Sequence, residues 1–209
     1  MKYLTYFFIL SCFNLSAQEI RIGNQVWMYR NLSATKFRNG ESIFEAKNCK
    51  DWNEAIKSQT PAWCYFDFNP ANSSKYGILY NYFAIFDKRG LAPENWHIPT
   101  ISEWNELAAY LGGSNVAGGK MMGNGTRWDG SSGSSLFNAI RSGYLDHRCW
   151  FAGPIVSDAI WWSSSLTESN RVYVKSIDFS YDGSAALLEF IAPNTHGFSV
   201  RCIKNATQN

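Results

Sequence analysis

One segment of the chain, residues 96–113, specifies a helix together with both of its ends. Thr100 and Glu103 have the spacing of a capping box, in which each side chain satisfies a free backbone N–H of the first turn. The apolar residues that follow recur at i, i+3, i+4 and i+7 and form one stripe: Trp104, Leu107, Ala108 and Leu111. Gly112-Gly113 permits the left-handed turn that ends a helix. We therefore predict a helix over residues 101–111 with one buried face.

The rest of the chain predicts shorter elements. The same apolar spacing predicts a second helix over residues 78–86, and a short third helix is expected over 52–56 with Asp51 as its cap. A hairpin is expected around Gly23-Asn24. Short strands are predicted at residues 20–22, 25–28, 161–163, 172–174, 186–190 and 198–203. Because the helices lie mostly in the first half and the strands in the second, we predict an α+β fold.

The N-terminus is typical of a secretory signal peptide. Lys2 is followed by an apolar run from Tyr3 to Phe13 and by small residues ending at Ala17. The run has about 11 residues and is too short for a membrane-spanning helix, which needs about 20. We expect residues 1–17 to be removed and the protein to be secreted or held at the cell surface or in the periplasm. The alternative is a lipoprotein signal with Cys12 as the lipidated residue, which would anchor the protein to the outer membrane.

Composition narrows the class of protein. With 45% apolar residues and nine tryptophans, the chain can fill the core of one domain, which we place at residues 19–204 with a tail at 205–209. The formal net charge of +2 gives no basic footprint, so we do not expect nucleic-acid binding.

The cysteines are expected to form disulfides in an exported protein. Of five cysteines, Cys12 belongs to the signal segment, and the other four can pair in three ways. No Cys-x-x-Cys or Cys/His cluster indicates a metal, and we predict no metal site and no cofactor.

Many short motifs, in the same order along nearly the whole mature chain, resemble the Fibrobacter succinogenes major paralogous domain. They lie at residues 22–28, 31–32, 61–65, 76–82, 90–93, 96–100, 103–104, 111–113, 117–121, 137–139, 141–144, 161–165 and 197–202. The resemblance implies an exported protein of the kind found in Bacteroidetes and Fibrobacteres. Cys64 and Cys202 both lie in family motifs. The resemblance therefore also implies that Cys64 pairs with Cys202 and that Cys49 pairs with Cys149.

A more distant similarity concerns the fold. Residues 99–104 and the closing Gly-Phe…Arg-Cys at 197–202 are similar to formylglycine-generating-enzyme-like domains, a branch of the C-type-lectin-like fold. This similarity implies two main helices packed around short, twisted antiparallel sheets, with the N- and C-terminal strands paired.

We do not expect an enzyme. Formylglycine-generating enzymes carry a copper-binding cysteine pair upstream of the closing Gly-Phe, whereas residues 161–197 contain no cysteine. His97, at the entrance of the predicted helix, is expected to bond to backbone rather than to act as a base. Asp178 and Asp182 share a loop that could hold a cation, although a solvated turn is the favoured interpretation, and the loop and strand strings of calcium-dependent lectins are absent from the sequence.

A binding surface is the remaining expectation. Residues 163–196, the polar segment, mix tyrosines with small hydrogen-bonding residues, a composition that suits recognition. Candidate ligand-binding residues here are Arg171, Tyr173, Tyr181 and Asp182, and Trp128 and Trp150 are candidates for stacking on a sugar. Five other tryptophans are expected in the core: Trp27, Trp96, Trp104, Trp161 and Trp162. We predict a non-catalytic binding module for a glycan or protein ligand, and the alternatives are a structural domain of the cell envelope or an unrecognised enzyme.

Overall fold

The computed structural model describes residues 18–122, 135–152, 159–179 and 185–206, so the predicted signal peptide, residues 1–17, lies outside the described residues. The strands are β1 Glu19–Ile22, β2 Gln25–Met28, β3 Phe44–Glu45, β4 Ala62–Tyr65, β5 Ile78–Asn81, β6 Trp96–His97, β7 Tyr144–Leu145, β8 Phe151–Ala152, β9 Ala159–Leu166, β10 Val172–Phe179, β11 Ala185–Ala192, β12 Gly197–Phe198 and β13 Ile203–Lys204. The helices are α1 Cys49–Lys57, α2 Ser73–Tyr76, α3 Tyr82–Ile85, α4 Ile101–Tyr110 and α5 Ser114–Met121. Two 3-10 turns, Phe66–Phe68 and Pro70–Asn72, precede α2. The chain is therefore a mixed α+β protein with small sheets.

Three sheets divide the interior. Their strand orders are β1-β2-β13-β6, β11-β10-β9 and β3-β4-β5-β12-β7-β8. The three-stranded sheet is antiparallel and places Trp162 and Val174 in one apolar cluster and Trp161 and Ile177 in another. The six-stranded sheet separates the first cluster from a third one around Trp52.

The predicted hairpin and the predicted core tryptophans are confirmed. β1 and β2 pair antiparallel across Gly23-Asn24, with Ile22 opposite Gln25. The five tryptophans expected in the core expose at most 7% of their surface. The indole N–H of Trp27 donates to the Gln25 side chain, and that of Trp162 donates to the backbone carbonyl of Tyr80. These bonds satisfy polar groups that burial would otherwise leave without water.

Helix α4 follows its local signals. It covers Ile101–Tyr110, and both halves of the capping box between Thr100 and Glu103 are present. Trp104 and Leu107 are fully buried on its inner face. The terminal glycine turn forms as well, because the backbone N–H of Gly113 donates to the carbonyl of Ala108.

The helix predicted over residues 78–86 is wrong in its first half. Ile78–Asn81 is β5, a strand buried on both faces between β4 and β12. An apolar run buried on both faces fits helical and strand periods equally, and tertiary pairing decides between them. The Asn81 side chain then ends the strand, because its Oδ1 accepts from the N–H groups of Ala84 and Ala62 and starts α3.

Two further helices differ from the sequence-based expectation. α1 begins at Cys49 with Asn48 as its cap, and Asp51 lies in the first turn, where it accepts from the backbone N–H of Lys47. α5 was not predicted as a helix, since Gly118-Gly119 lowers helix propensity. A Cβ at Gly118 would lie 2.5 Å from the carbonyl oxygen of Ala185, so glycine is what lets α5 pack against β11.

The predicted closing strand, residues 198–203, is split between two sheets. β12 pairs with β5 and β7, whereas β13 pairs with β2 and β6. The terminal strands are thus paired through β13 and β2, with Ile203 opposite Trp27. Residues 199–202 cross from one sheet to the other. Beyond β13, the Asn205 backbone N–H donates to Asn95, while residues 207–209 lie outside the described part.

The cysteines confirm one predicted pair and contradict the other. Cys49 and Cys149 form a disulfide. The predicted Cys64–Cys202 bond is wrong, since both thiols are free and buried. Cys64 points from β4 into the cluster around Trp52, whereas Cys202 lies in the cluster on the other side of the six-stranded sheet. Burial raises the pKa of both thiols, that of Cys202 to about 12.

His97 contacts side chains, contrary to the expectation of a backbone partner. Its Nε2 lies 2.7 Å from Oε1 of Glu103, and its Nδ1 lies 2.7 Å from Oδ1 of Asn205. The hydrogen bond with Glu103 raises the pKa of His97 against the opposing effect of partial burial. Burial raises the pKa of Glu103, but the bonds from His97 and Thr100 outweigh it, and the net shift is downward.

No helix in the described ranges is both long enough and apolar enough to span a lipid bilayer.

Replacing both Cys49 and Cys149 by alanine should lower the free energy of unfolding by about 2–5 kcal/mol, because the bond closes a long loop in the unfolded chain. The two residues are 100 positions apart. Urea unfolding of the oxidised protein and the double variant measures the loss. Peptide mapping without reductant should find Cys49 linked to Cys149, with Cys64 and Cys202 alkylated only after unfolding. A Cys64–Cys202 peptide would contradict the structure.

The His97–Glu103 pair should make stability depend on pH. A raised His97 pKa means that its contribution is complete below the ordinary value of 6.5 and is lost as pH rises through the folded value. A lowered Glu103 pKa means that its contribution is complete above 4.5 and is lost as pH falls through the folded value. Their coupling energy should therefore peak between pH 4.5 and 6.5.

A double-mutant cycle with His97→Gln and Glu103→Gln, followed by urea unfolding from pH 3 to 9, measures that coupling. Because both side chains are partly exposed, we expect a maximum of about 0.5–1 kcal/mol. Coupling that stays constant to pH 9 would contradict the assignment.

Candidate functional site

A cleft of about 350 Å³ opens where the segment after β2 meets α2 and the chain beyond Phe137. We call it the basic cleft. Its lining residues are Tyr29, Arg30, Asn31, Ser33, Ser73, Ser74, Lys75, Gly77, Asn138, Ile140 and Arg201. Most carry hydroxyl, amide or cationic groups, and Ile140 is the aliphatic exception.

Gly77 lets α2 end against the wall of the cleft. Its φ of +75° is favourable for glycine and strained for other residues. A Cβ at Gly77 would also lie only 3.3 Å from Cβ of Asn31. The backbone N–H of Gly77 closes α2 by donating to Ser73. This turn brings the serines and lysine of α2 beside the segment that follows β2.

Arg201 organises the cleft from beneath. Its Nη1 donates to the carbonyl oxygens of Met28, Tyr29 and Phe137 at 3.0, 2.8 and 2.7 Å. Its Nε and Nη2 donate to Oδ1 of Asn31 at 3.1 and 2.9 Å. The same Asn31 oxygen accepts from the indole N–H of Trp161 at 2.9 Å. One guanidinium therefore joins the segment that contains Arg201 to two other stretches of chain, residues 28–31 and Phe137.

The charge of Arg201 has no carboxylate partner among the described residues. Its five hydrogen bonds go to carbonyl or amide oxygens, and the Phe137 ring lies under the guanidinium at 4.5 Å. Burial lowers its pKa to about 9, which keeps the group charged at neutral pH. Arg201 borders the cleft but is 0% exposed, so its charge acts on a ligand through the cleft wall.

The rim adds two exposed cations. Arg30 has no hydrogen bond or ion pair with any described residue, and Lys75 places its Nζ 4.9 Å from the Tyr76 ring without an acidic partner in those residues. The side chains of Ser33, Ser74 and Asn138 likewise make no hydrogen bond within the described ranges. The lining contains no Asp, Glu, His or Cys among residues the structure describes. Such a site can hold a polar ligand but offers no evident general base or thiol nucleophile.

Of the residues predicted for binding from the sequence, the three that the structure describes, Trp150, Arg171 and Tyr173, are not in the lining of the basic cleft. Trp128, Tyr181 and Asp182 fall outside the described residues. Trp150 is 57% exposed in the turn before β8, where its backbone N–H donates to Asp146. Arg171 is exposed before β10, and Tyr173 is half-buried opposite Ile191. In the described part no hydrogen bond or ring contact joins Trp150 to the other two, so their role in binding stays a prediction.

Within the ranges given above, no three His, Cys, Asp or Glu side chains come close enough to hold an ion together. The loop of Asp178 and Asp182, for which a solvated turn was the favoured interpretation, lies partly outside those ranges.

The cleft residues were missed because they are far apart in sequence. Arg30 and Asn31 follow β2, Lys75 belongs to α2, and Arg201 lies near the C-terminus. A signal for Arg201 was present in the sequence, since it is the one charged residue of the otherwise uncharged run from Gly197 to Ile203. A charged residue inside a buried segment needs partners, and such residues are a sound place to look for a site.

Comparison with known proteins identifies the family. No curated protein and no solved structure matches the chain. The model of the Fibrobacter succinogenes major domain matches residues 20–204, which is nearly all of the chain after the predicted signal peptide. The chain therefore belongs to the Fibrobacter succinogenes major domain family.

Proposed function

We propose that the protein is an exported, non-catalytic binding module that recognises a glycan in the basic cleft. The observation that carries the proposal is the cleft itself, a concavity of about 350 Å³ lined by hydroxyl, amide and cationic groups. Ligand sites for small molecules are concave and of about this volume, whereas protein partners usually bury broad surfaces of about 800 Å² on each side.

The lining supplies the groups that bind sugar hydroxyls. Ser33, Ser74 and Asn138 have no hydrogen bond within the described chain, so they can donate and accept without breaking an internal bond. Tyr29, which is half-buried, also lines the cleft and carries a hydroxyl group that can bond to a sugar hydroxyl. The absence of acidic, histidine and cysteine side chains from the described lining favours binding over catalysis.

Export is part of the proposal. The Cys49–Cys149 disulfide supports an oxidising compartment, because such bonds are rare in the cytoplasm. The apolar N-terminal run supports a cleaved signal peptide, with lipidation of Cys12 as the alternative route to the cell surface.

A C-type-lectin-like fold is the finer proposal for the architecture. The pairing of β13 with β2 agrees with that fold, as does the placement of α4 beside the three-stranded sheet.

Binding of the mature protein, residues 18–209, to a glycan array tests the function. We expect binding to a defined set of glycans, unchanged when calcium is removed with EDTA. Ser74→Trp should weaken it at least tenfold, because the new ring fills the cleft from an exposed position and leaves the core untouched.

Ser169→Trp is the matched control. Ser169 is also exposed, but it lies in the turn between β9 and β10, within the polar segment. Loss of binding with Ser169→Trp alone would move the site to the polar segment. Failure of the mature protein to bind any glycan would contradict the function and favour a structural role in the envelope.

A further inference from the structure

Several cationic side chains of the described chain form ion pairs with an acidic side chain, whereas those of the basic cleft do not. Arg89 lies 2.8 Å from Asp87 and 2.7 Å from Glu41, and Lys204 lies 2.7 Å from Glu19. Even the buried Lys175 has Glu189 at 2.8 Å. Arg30, Lys75 and Arg201 have no such partner among the described residues. Three positive charges therefore border one concavity without an acidic partner in the described part of the chain.

Arg201 is the buried cation of these three, and burying its charge costs free energy unless a negative charge lies nearby. A charge removed from water requires a partner of opposite sign or a dense set of hydrogen bonds. Arg201 has the hydrogen bonds, yet they come from neutral oxygens and leave the net charge in place. Nη2 donates one bond only, so one of its two N–H groups has no acceptor in the described chain.

An anion in the cleft would be attracted both by Arg201 beneath the cleft and by Arg30 and Lys75 at its rim. Arg201 acts from beneath in a setting of low dielectric, where charge interactions are stronger than in water. Arg30 and Lys75 are exposed and free to form charge-assisted hydrogen bonds with the same group. No described acidic residue of the lining opposes this attraction.

We propose that the ligand of the basic cleft is an acidic saccharide whose carboxylate or sulfate group is bound by Arg30 and Lys75 above the buried Arg201. This inference rests on the proposed function and adds the charge of the ligand. The neutral hydroxyls of the same saccharide would contact Ser33, Ser74 and Asn138, which have no internal hydrogen bonds in the described ranges. Carboxylate and sulfate share the oxyanion chemistry that these cations recognise.

Matched saccharides separate charge from shape. We would measure binding of the mature protein to an array of oligosaccharides of the glucose, galactose, mannose and gulose series, each in four forms: uronate, uronate methyl ester, sulfate ester and neutral parent. The acidic form of at least one backbone should bind at least tenfold more tightly than its methyl ester or neutral parent. The ratio of the uronate to the sulfate form tells which oxyanion the cleft prefers.

Variants of the cationic residues then test whether the acidic group of the saccharide binds in the cleft. Arg30→Gln and Lys75→Gln should each weaken acidic-saccharide binding by about tenfold, the effect of one charge-assisted hydrogen bond. Arg21→Gln is the matched control, because Arg21 is an exposed arginine on β1 outside the cleft lining. It should change binding less than twofold at 150 mM NaCl, where distant surface charges are screened. Equal thermal midpoints for the variants would show that they remain folded.

The possible outcomes distinguish the proposal of an acidic ligand from the broader proposal of glycan recognition. Binding of neutral parents or methyl esters as tightly as acids would overturn the anionic ligand and leave glycan recognition intact. Equal losses with Arg21→Gln and Arg30→Gln would overturn a specific oxyanion site in the cleft. Absence of binding to every glycan would overturn this inference together with the proposed function.

Discussion

The guanidinium of Arg201 is the interaction on which the rest of the structure most depends. It lies between β12 and β13, in the short crossing that joins the six-stranded sheet to the sheet of the N-terminal hairpin. Its hydrogen bonds reach the end of β2, the segment after β2 and the carbonyl of Phe137. Because buried acceptors need donors, these bonds hold the crossing and the segments around it in one arrangement.

That arrangement also connects the apolar clusters. Asn31 accepts from Arg201 and from Trp161, and Trp161 belongs to the cluster beneath α4. The chain on the other side of Arg201 contributes Val200 and Cys202 to the cluster that holds Trp162. The polar network thus lies where two parts of the core meet, and the basic cleft is its surface opening. Stability of the fold and the charge of the proposed site depend on the same side chain.

Local signals predicted the parts of the fold that local interactions determine. The capping box at Thr100 and the turn at Gly23-Asn24 act over a few residues, and α4 and the first hairpin form where they indicate. Predictions failed where partners distant in sequence decide. Ile78–Asn81 becomes a strand because β4 and β12 lie on either side of it, and the run after Phe198 divides because its two ends pair in different sheets.

Separation in sequence also limited the prediction of the disulfides and of the site. Family motifs alone could not place Cys64 and Cys202 on opposite sides of a sheet, and the four segments that line the cleft meet only in the folded chain. The polar segment, by contrast, is contiguous in sequence, which is why composition pointed to it first.

The central claim is that a buried arginine, which has no acidic partner among the residues that the structure describes, makes the basic cleft a site for an acidic saccharide. A crystal structure of the mature protein with its tightest-binding acidic saccharide tests this most directly. The account predicts the carboxylate or sulfate oxygens within hydrogen-bond distance of Arg30 or Lys75, in the cleft above Arg201. A saccharide seated on the polar segment, or one that turns its acidic group away from these cations, would contradict it.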